Sequence, residues 1–196
     1  MRRSIVQLFI LNNAAITADV REVLGVLNVS VAKSEVERAT DKLVEEHIQQ
    51  IDYEIRNNAE RMSEFYKIFY MLENDIRVLV EETLQGAKGA DWWDTAVPQE
   101  VRENAKKNRD RESNEGLAPR SPKMIDYTTF GELGEIIKNN WDIFAGIFGS
   151  SDKNRVLRVI NRLNLVRGPI AHCGLLSEEE IVRLKLTVRD WYKLMD

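Results

Sequence analysis

The stretch from Glu45 to Leu84, EEHIQQIDYEIRNNAERMSEFYKIFYMLENDIRVLVEETL, decides the fold of this chain. Its apolar residues recur every three or four positions, which is the period of one face of an α-helix. The pattern is longer than an average globular helix, so it predicts one long helix or two helices with a kink near Asn57-Asn58. The apolar positions are Ile48, Ile51, Ile55, Met62, Phe65, Ile68, Phe69, Leu72, Ile76, Leu79, Val80 and Leu84.

The composition extends this interpretation to the whole chain. Of 196 residues, 43% are hydrophobic and 31% are charged, with only 10 glycines and 4 prolines, and no alternating strand pattern stands out. We therefore expect an all-α helical bundle. The single cysteine, Cys173, excludes an internal disulfide and a thiolate metal site, so we expect a reducing, cytoplasmic location and neither metal nor cofactor.

The first 48 residues differ from the rest and predict a short helical extension, with the bundle itself over residues 49–196. Thr17 and Ser34 are suitable caps for two helices, so a small helix-turn-helix unit that binds DNA through residues 17–45 is conceivable. Its second helix lacks the positive excess that phosphate contacts need. The apolar run at residues 5–11 is too short for a membrane span and has no clear cleavage site, so we expect no membrane association.

Further helices are marked by their caps. Thr129 with Glu132, and Ser177 with Glu180, have the spacing of a capping box, and Ser151 can cap a helix between them. The Asp91-Trp92-Trp93-Asp94 segment predicts a turn locked onto the core by its indoles rather than a base-stacking site.

Two segments carry excess positive charge although the net charge is −4. Residues 102–123 hold seven basic and four acidic residues beside two prolines, which predicts a basic loop suited to an RNA backbone. Residues 152–167 hold five basic residues and one acid, on a helix whose three exposed arginines share one face. The candidate RNA-binding residues are Lys106, Lys107 and Arg109 in the first segment and Arg155, Arg158 and Arg162 in the second.

The second segment leads to Leu163-Asn164-Leu165-Val166-Arg167-Gly168-Pro169-Ile170-Ala171-His172-Cys173. The residue before a proline is disfavoured in a helix, so Gly168-Pro169 predicts a break that turns Arg167 and His172 toward one cleft. Histidine exchanges a proton near neutral pH, and arginine holds two phosphate oxygens, which suits RNA cleavage without metal. The alternative is structural: Arg167 caps the preceding carbonyls and His172 makes a buried hydrogen bond.

The pattern Leu163-Asn164-x-x-Arg167-x-Pro169-x-Ala171-His172, followed by Leu176 and Glu180, resembles the signature region of HEPN domains. The subgroup it is most similar to occurs in bacterial defence proteins and at the end of a yeast transcription-associated endoribonuclease. The resemblance covers about residues 60–196 and includes four upstream segments: Leu72 to Arg77, Asp91 to Trp93, Tyr127 to Leu133, and Asn140-Trp141.

The resemblance implies a helical bundle, often dimeric, whose Arg-x4-6-His motif forms a metal-independent ribonuclease site. In this chain the motif residues are Arg167 and His172, and Glu73, Asp75 and Arg77 are auxiliary candidates facing the cleft or salt-bridged at the surface. Active members commonly carry a polar residue such as Asn after the arginine, where this chain has Gly168. The loss of that hydrogen-bonding side chain favours weaker activity or a binding role.

Three functions follow as hypotheses. The first is an endoribonuclease of RNA processing, stress response or anti-phage defence, working as a homodimer with its site at the two-fold axis and controlled by a cognate antitoxin or regulator. The second is a non-catalytic HEPN module that binds RNA or mediates dimerisation. The third is a DNA-binding regulator that uses residues 17–45.

Overall fold

The computed structural model describes residues 35–149 and 151–195, and within them it contains helices, turns and no strand. The predicted all-α fold is therefore confirmed. Contacts divide the chain into two compact units, Met1–Arg56 and Asn57–Asp196, each of which is described by itself. The predicted caps Thr17 and Ser34, and most of the predicted helix-turn-helix, lie outside the described residues.

The described elements follow one another with short connections. Helix α1 covers Glu35–Ile48, and α2 is a long helix over Tyr53–Lys88. The later helices are α3 (Trp92–Ala96), α4 (Gln99–Asn114), α5 (Phe130–Asn139), α6 (Trp141–Phe144), α7 (Lys153–Ala171) and α8 (Glu178–Tyr192), with a 3-10 turn at Met124–Tyr127 before α5. None of the described helices is long and apolar enough to cross a membrane.

The helix predicted from Glu45 to Leu84 is interrupted at residues 49–52, between α1 and α2, whereas α2 is helical through Asn57-Asn58, where the alternative expected the helix to be divided. Its apolar stripe packs into the core from Phe65 onward, whereas Ile48, Ile51 and Ile55, the first members of the predicted pattern, are exposed. The buried members are Phe65, Phe69, Leu72, Ile76, Val80 and Leu84.

Aromatic side chains fill the core of the second unit. Phe148 stacks on Trp141 with ring centroids 5.9 Å apart and meets the fully buried Trp191 edge-on at 5.6 Å. Trp92 is buried and contacts Trp93 edge-on at 5.6 Å. The prediction that the tryptophan pair belongs to the core is thus confirmed for Trp92, whose ring is closed to a ligand.

Helix α7 packs against α5 and α8 and therefore positions the Arg167 segment. At the α5 contact, a Cβ on Gly134 would lie 2.9 Å from Ile160 Cγ2, so only glycine allows this approach. Both predicted capping boxes are confirmed, at Thr129 with Glu132 and at Ser177 with Glu180. The cap of α7 is Asp152 rather than the predicted Ser151.

The basic loop predicted for residues 102–123 is wrong over most of its length, because α4 is helical from Gln99 to Asn114. Pro98 precedes the helix, and Val101 and Ala105 form a narrow buried stripe one turn apart. Such a stripe is hidden in a sequence that is otherwise polar. Residues 115–123 are the part that remains outside a helix.

Candidate active site

A cleft of about 430 Å³ opens between one flank of α2 and the C-terminal half of α7. The α2 flank consists of residues three or four positions apart, so their side chains form a continuous wall. The third side of the cleft is formed by Asp126 of the 3-10 turn and by Arg120 of the segment before it. The lining residues are Tyr66, Phe69, Tyr70, Glu73, Asn74, Arg77, Arg120, Asp126, Arg167, Ile170 and Ala171.

Glu73 lies at the centre of the charges in this cleft. One carboxylate oxygen accepts a hydrogen bond from an Arg77 Nη at 2.5 Å, and the other lies 3.4 Å from Arg167 Nε. The Glu73 side chain is only 12% exposed, so it is a negative group held mostly out of water between two cations. It joins α2 to α7 at the candidate site.

Arg77 is fixed from several sides. Its Nη2 also donates to the Thr128 carbonyl at 3.0 Å, and Nη1 donates to Asn74 Oδ1 at 3.4 Å. Its Nε is buried and has no hydrogen-bond partner within the described part of the chain. Arg77 therefore serves as a fixed positive charge rather than a mobile surface residue.

Arg167 is the more accessible arginine, with 35% of its side chain exposed. Its shortest contact with Glu73 is made by Nε, and neither Nη group makes a hydrogen bond to a described residue. The guanidinium is thus held beside a carboxylate, remains partly exposed and lines the cleft. The structural alternative, in which Arg167 caps helix carbonyls, does not describe its contacts.

His172 is at the end of α7, where its backbone N–H donates to the Gly168 carbonyl at 3.1 Å. Its side chain is exposed, and the described residues give it no hydrogen-bond partner. A buried, hydrogen-bonded role is thereby wrong. Of the described residues, Ile170 and Ala171 line the cleft and His172 does not, so a single chain does not bring His172 into the cleft beside Arg167.

The predicted break at Gly168-Pro169 is also wrong, because α7 continues through both residues to Ala171. Proline clashes with both the backbone N–H and the Cβ of a helical residue before it, and Gly168 lacks the Cβ, so part of that clash is absent here. The helix ends three residues later, with the Gly174 N–H donating to the Pro169 carbonyl at 2.7 Å. Arg167 and His172 consequently belong to one helix end rather than to two elements.

The arginines Arg155, Arg158 and Arg162 are all exposed on α7. Arg162 lines a separate groove of about 580 Å³ with Leu165, Glu180 and Arg183. In a helix, Arg162 and Arg167 point about 140° apart, so the arginine row lies on a different flank from the cleft. The structure does not bring this row to Arg167.

The other basic candidates lie on α4. Lys106 and Lys107 are exposed on its surface, and Arg109 is half-buried, with its Nη1 donating to Met124 Sδ at 3.3 Å. None of these three lines the cleft that contains Arg167, among the residues that the structure describes. Lys106 and Lys107 form part of a solvated helix face.

Asp75 is the auxiliary candidate that the structure removes from the cleft. Neighbours two apart on a helix face different sides, and Asp75 accepts a hydrogen bond from the Tyr192 hydroxyl at 3.4 Å instead. Burial first, and then the nearby Asp75 carboxylate, raise the pKa of Tyr192 above its ordinary value. Glu73 and Arg77, by contrast, line the cleft.

Sequence reasoning missed Tyr66, Tyr70 and Asp126, and it placed Arg120 only in a general basic segment. The available signal was the spacing of Tyr66, Tyr70, Glu73 and Arg77, which puts two tyrosines in line with two charges on one helix flank. Arg120 lies in the segment after α4. Its side chain pairs with Glu112, and its guanidinium carbon lies 5.2 Å from the centroid of the Tyr127 ring. A hydrogen bond to Glu81 fixes nearby Lys123 and raises its pKa.

Comparison with known proteins adds the family. The model of the Swt1-like HEPN family matches residues 67–196, which include the cleft, Arg167 and His172. The chain belongs to this family. HEPN domains act as ribonucleases or RNA-binding modules and commonly dimerise, which agrees with the resemblance noted in the sequence. No curated protein and no solved structure matches the chain. Among the described residues, no group of three His, Cys, Asp or Glu side chains could hold a metal ion.

Proposed function

We propose that this HEPN domain is a metal-independent endoribonuclease in which Arg167 binds the scissile phosphate and His172 transfers a proton. The observation that carries the proposal is the 3.4 Å contact between the Glu73 carboxylate and Arg167 Nε, which holds a partly exposed guanidinium in the cleft while its Nη groups make no hydrogen bond to the described residues. An arginine held in this way stabilises charge that develops on phosphate oxygens during attack by the ribose 2'-hydroxyl. Glu73 and Arg77 act as positioning residues.

Cleavage of RNA through its 2'-hydroxyl needs a base for that proton and an acid for the leaving 5'-oxygen. The chain has only two histidines, His47 and His172, so one His172 per chain favours a homodimer in which two copies meet at the site.

A second candidate is a non-catalytic HEPN module that binds RNA through the same cleft. It is favoured by Gly168, which supplies no hydrogen-bonding side chain, and by the position of His172 outside the cleft of its own chain. Arg77, Arg120 and Arg167 line the cleft with two carboxylates, and Glu112 pairs with Arg120 from outside the lining, so the charges are balanced and anion binding rests on the partly exposed Arg167 in either case.

The decisive experiment incubates the purified chain with end-labelled RNA in excess EDTA and identifies the product ends. We expect cleavage that survives the chelator and leaves a 2',3'-cyclic phosphate. His172→Ala and Arg167→Ala should each abolish it, with losses of about a hundredfold or more. The matched controls are His47→Ala, which removes the other histidine, and Arg158→Ala, which removes an exposed arginine from the same helix.

The outcomes separate the two candidates. RNA binding without cleavage would replace the enzyme with the binding module. Cleavage that persists in His172→Ala would place the chemistry elsewhere. Circular dichroism of each variant distinguishes a lost catalytic group from a lost fold.

A further inference from the structure

The outer part of the cleft contains two tyrosines that the catalytic proposal does not use. Tyr66 and Tyr70 lie one helical turn apart on α2, with 60% and 62% of their surfaces exposed. Their ring centroids are 6.3 Å apart and the rings are tilted by 35°. Single exposed aromatics are common on protein surfaces, but these two adjoin each other inside a cleft that also holds three arginines.

The position of the pair relative to the charges is set by the helix. At 1.5 Å per residue, Tyr70 lies about 4.5 Å before Glu73 along the α2 axis and Tyr66 about 10.5 Å before it. The rings therefore continue the row that begins with Arg77 and Glu73. A strand whose phosphate lies at Arg167 would pass over them with its neighbouring bases.

We propose that Tyr66 and Tyr70 form a stacking platform for unpaired bases next to the phosphate bound by Arg167, so that the cleft selects single-stranded RNA. The inference rests on the proposed function for the site of the phosphate. Bases stack on aromatic rings only when they are splayed out of a duplex. Every base has a stacking face, so the platform discriminates unpaired from paired RNA rather than one base from another.

Arg120 strengthens the same interpretation from the other side of the cleft. Its pairing with Glu112 and its position over the Tyr127 ring fix its guanidinium at the cleft. Cationic groups that follow a backbone beside aromatic rings that stack bases are the usual combination in single-strand binding sites.

The test uses the full chain carrying His172→Ala, so that labelled RNA survives, in buffer with EDTA. The dissociation constant for a short single-stranded RNA is measured by fluorescence anisotropy and compared with that of the same sequence as a duplex. We expect the duplex to bind more weakly. Adding Tyr66→Ala and Tyr70→Ala together should weaken single-strand binding about tenfold or more, while the duplex affinity changes little.

Two controls isolate the rings. Tyr66→Phe with Tyr70→Phe keeps both stacking faces and should stay within about twofold of the parent. Met71→Ala removes an exposed apolar residue beside Tyr70 that is not among the cleft-lining residues, and it should have no effect. The salt dependence of binding should not change in the tyrosine variants, because no charge is removed, whereas Arg120→Ala should reduce it.

Equal binding by the alanine pair and Met71→Ala would overturn the platform, as would a duplex that binds as tightly as the single strand. If the chain with an intact His172 still cleaves RNA in EDTA, only the platform is lost and the proposed function stands. If the tyrosines control single-strand binding but no cleavage occurs, the platform stands on the binding module instead. A chain that neither binds nor cleaves RNA would refute both and leave the tyrosines to a protein partner.

Discussion

Replacing Glu73 by glutamine tests whether one carboxylate holds the two sides of the cleft together. Glutamine keeps the shape of the side chain and one acceptor oxygen, but it removes the negative charge between Arg77 and Arg167. Because the Glu73 and Arg77 side chains are each only 12% exposed, water replaces little of what is lost. We therefore expect Glu73→Gln to destabilise the fold.

The magnitude follows from the two contacts. A hydrogen bond to a charged group contributes about 1.5–3 kcal/mol, and because Arg77 stays charged in the variant, we take the loss at this contact as the width of that range, about 1–1.5 kcal/mol. The Arg167 contact, at 3.4 Å with a one-third exposed partner, contributes about 0.2–1 kcal/mol. The sum is about 2 kcal/mol, which corresponds to a fall in Tm of roughly 4–8 °C for a chain of this length.

Urea unfolding and thermal melting followed by circular dichroism measure this change. Glu82→Gln is the matched control, because Glu82 is exposed on the same helix and should stay within about 0.5 kcal/mol of the parent. A double-mutant cycle with Arg167→Gln should give a coupling of about 0.5 kcal/mol or more. A loss as small as that of Glu82→Gln, or additive effects in the cycle, would show that Glu73 does not orient Arg167.

Three further predictions address other parts of the structure. Gly134→Ala should lower the free energy of unfolding by about 1–3 kcal/mol, because its Cβ would lie 2.9 Å from Ile160 Cγ2. Gly86→Ala, in an open position of α2, should raise the free energy of unfolding by about 0.5–1 kcal/mol. A stabilised Gly134→Ala would contradict the close contact. The free energy of unfolding should fall as the pH rises above about 10, because the folded chain holds the Tyr192 proton more tightly than the unfolded chain. Asp75→Asn should make that fall shallower in thermal melts at alkaline pH. An unchanged dependence of Tm on pH would exclude Asp75 as a cause. Gly168→Asn should destabilise the end of α7, because a Cβ before Pro169 is disfavoured in a helix, although no atom beyond its chain neighbours and the local helix backbone lies within 4 Å of that Cβ. Circular dichroism therefore checks its fold first. In the folded variant RNA cleavage should increase if the missing polar side chain limits activity, and unchanged cleavage would make Gly168 irrelevant to the chemistry.

The fold could be predicted further from the sequence than the site could. Periodicity identified α2, and capping boxes located the starts of α5 and α8, because both signals are local. Helix α4 was missed because only Val101 and Ala105 are buried in a polar surround, so its helical character depends on a stripe two residues long. Its burial is supplied by tertiary packing, which no local pattern shows.

The site depended on contacts between distant segments. Arg167 and Glu73 were both candidates, but their contact joins α7 to α2 and follows only from how those helices pack. Asp75 and Arg77 appeared equally suitable in sequence, and the helix period alone separates them, since Asp75 faces Tyr192 and Arg77 faces the cleft. The helix break predicted at Gly168-Pro169 was wrong because part of the steric clash between a proline and the preceding residue involves a Cβ, which glycine lacks.

The continuity of α7 has a consequence for how the site assembles. Arg167 and His172 lie on one helix end, about 140° apart by helical geometry, and only Arg167 lines the cleft. A phosphate at Arg167 therefore meets His172 from another chain more readily than its own, which predicts that Arg167→Ala and His172→Ala complement each other. When the two variants are mixed equally and exchange subunits, half of the dimers contain one chain of each kind. Each mixed dimer has one intact site of two, formed from the unmutated Arg167 of one chain and the unmutated His172 of the other. Roughly a quarter of the parental cleavage should therefore return. Two variants that are inactive alone and stay inactive after subunit exchange would instead place both groups of each site on the same chain.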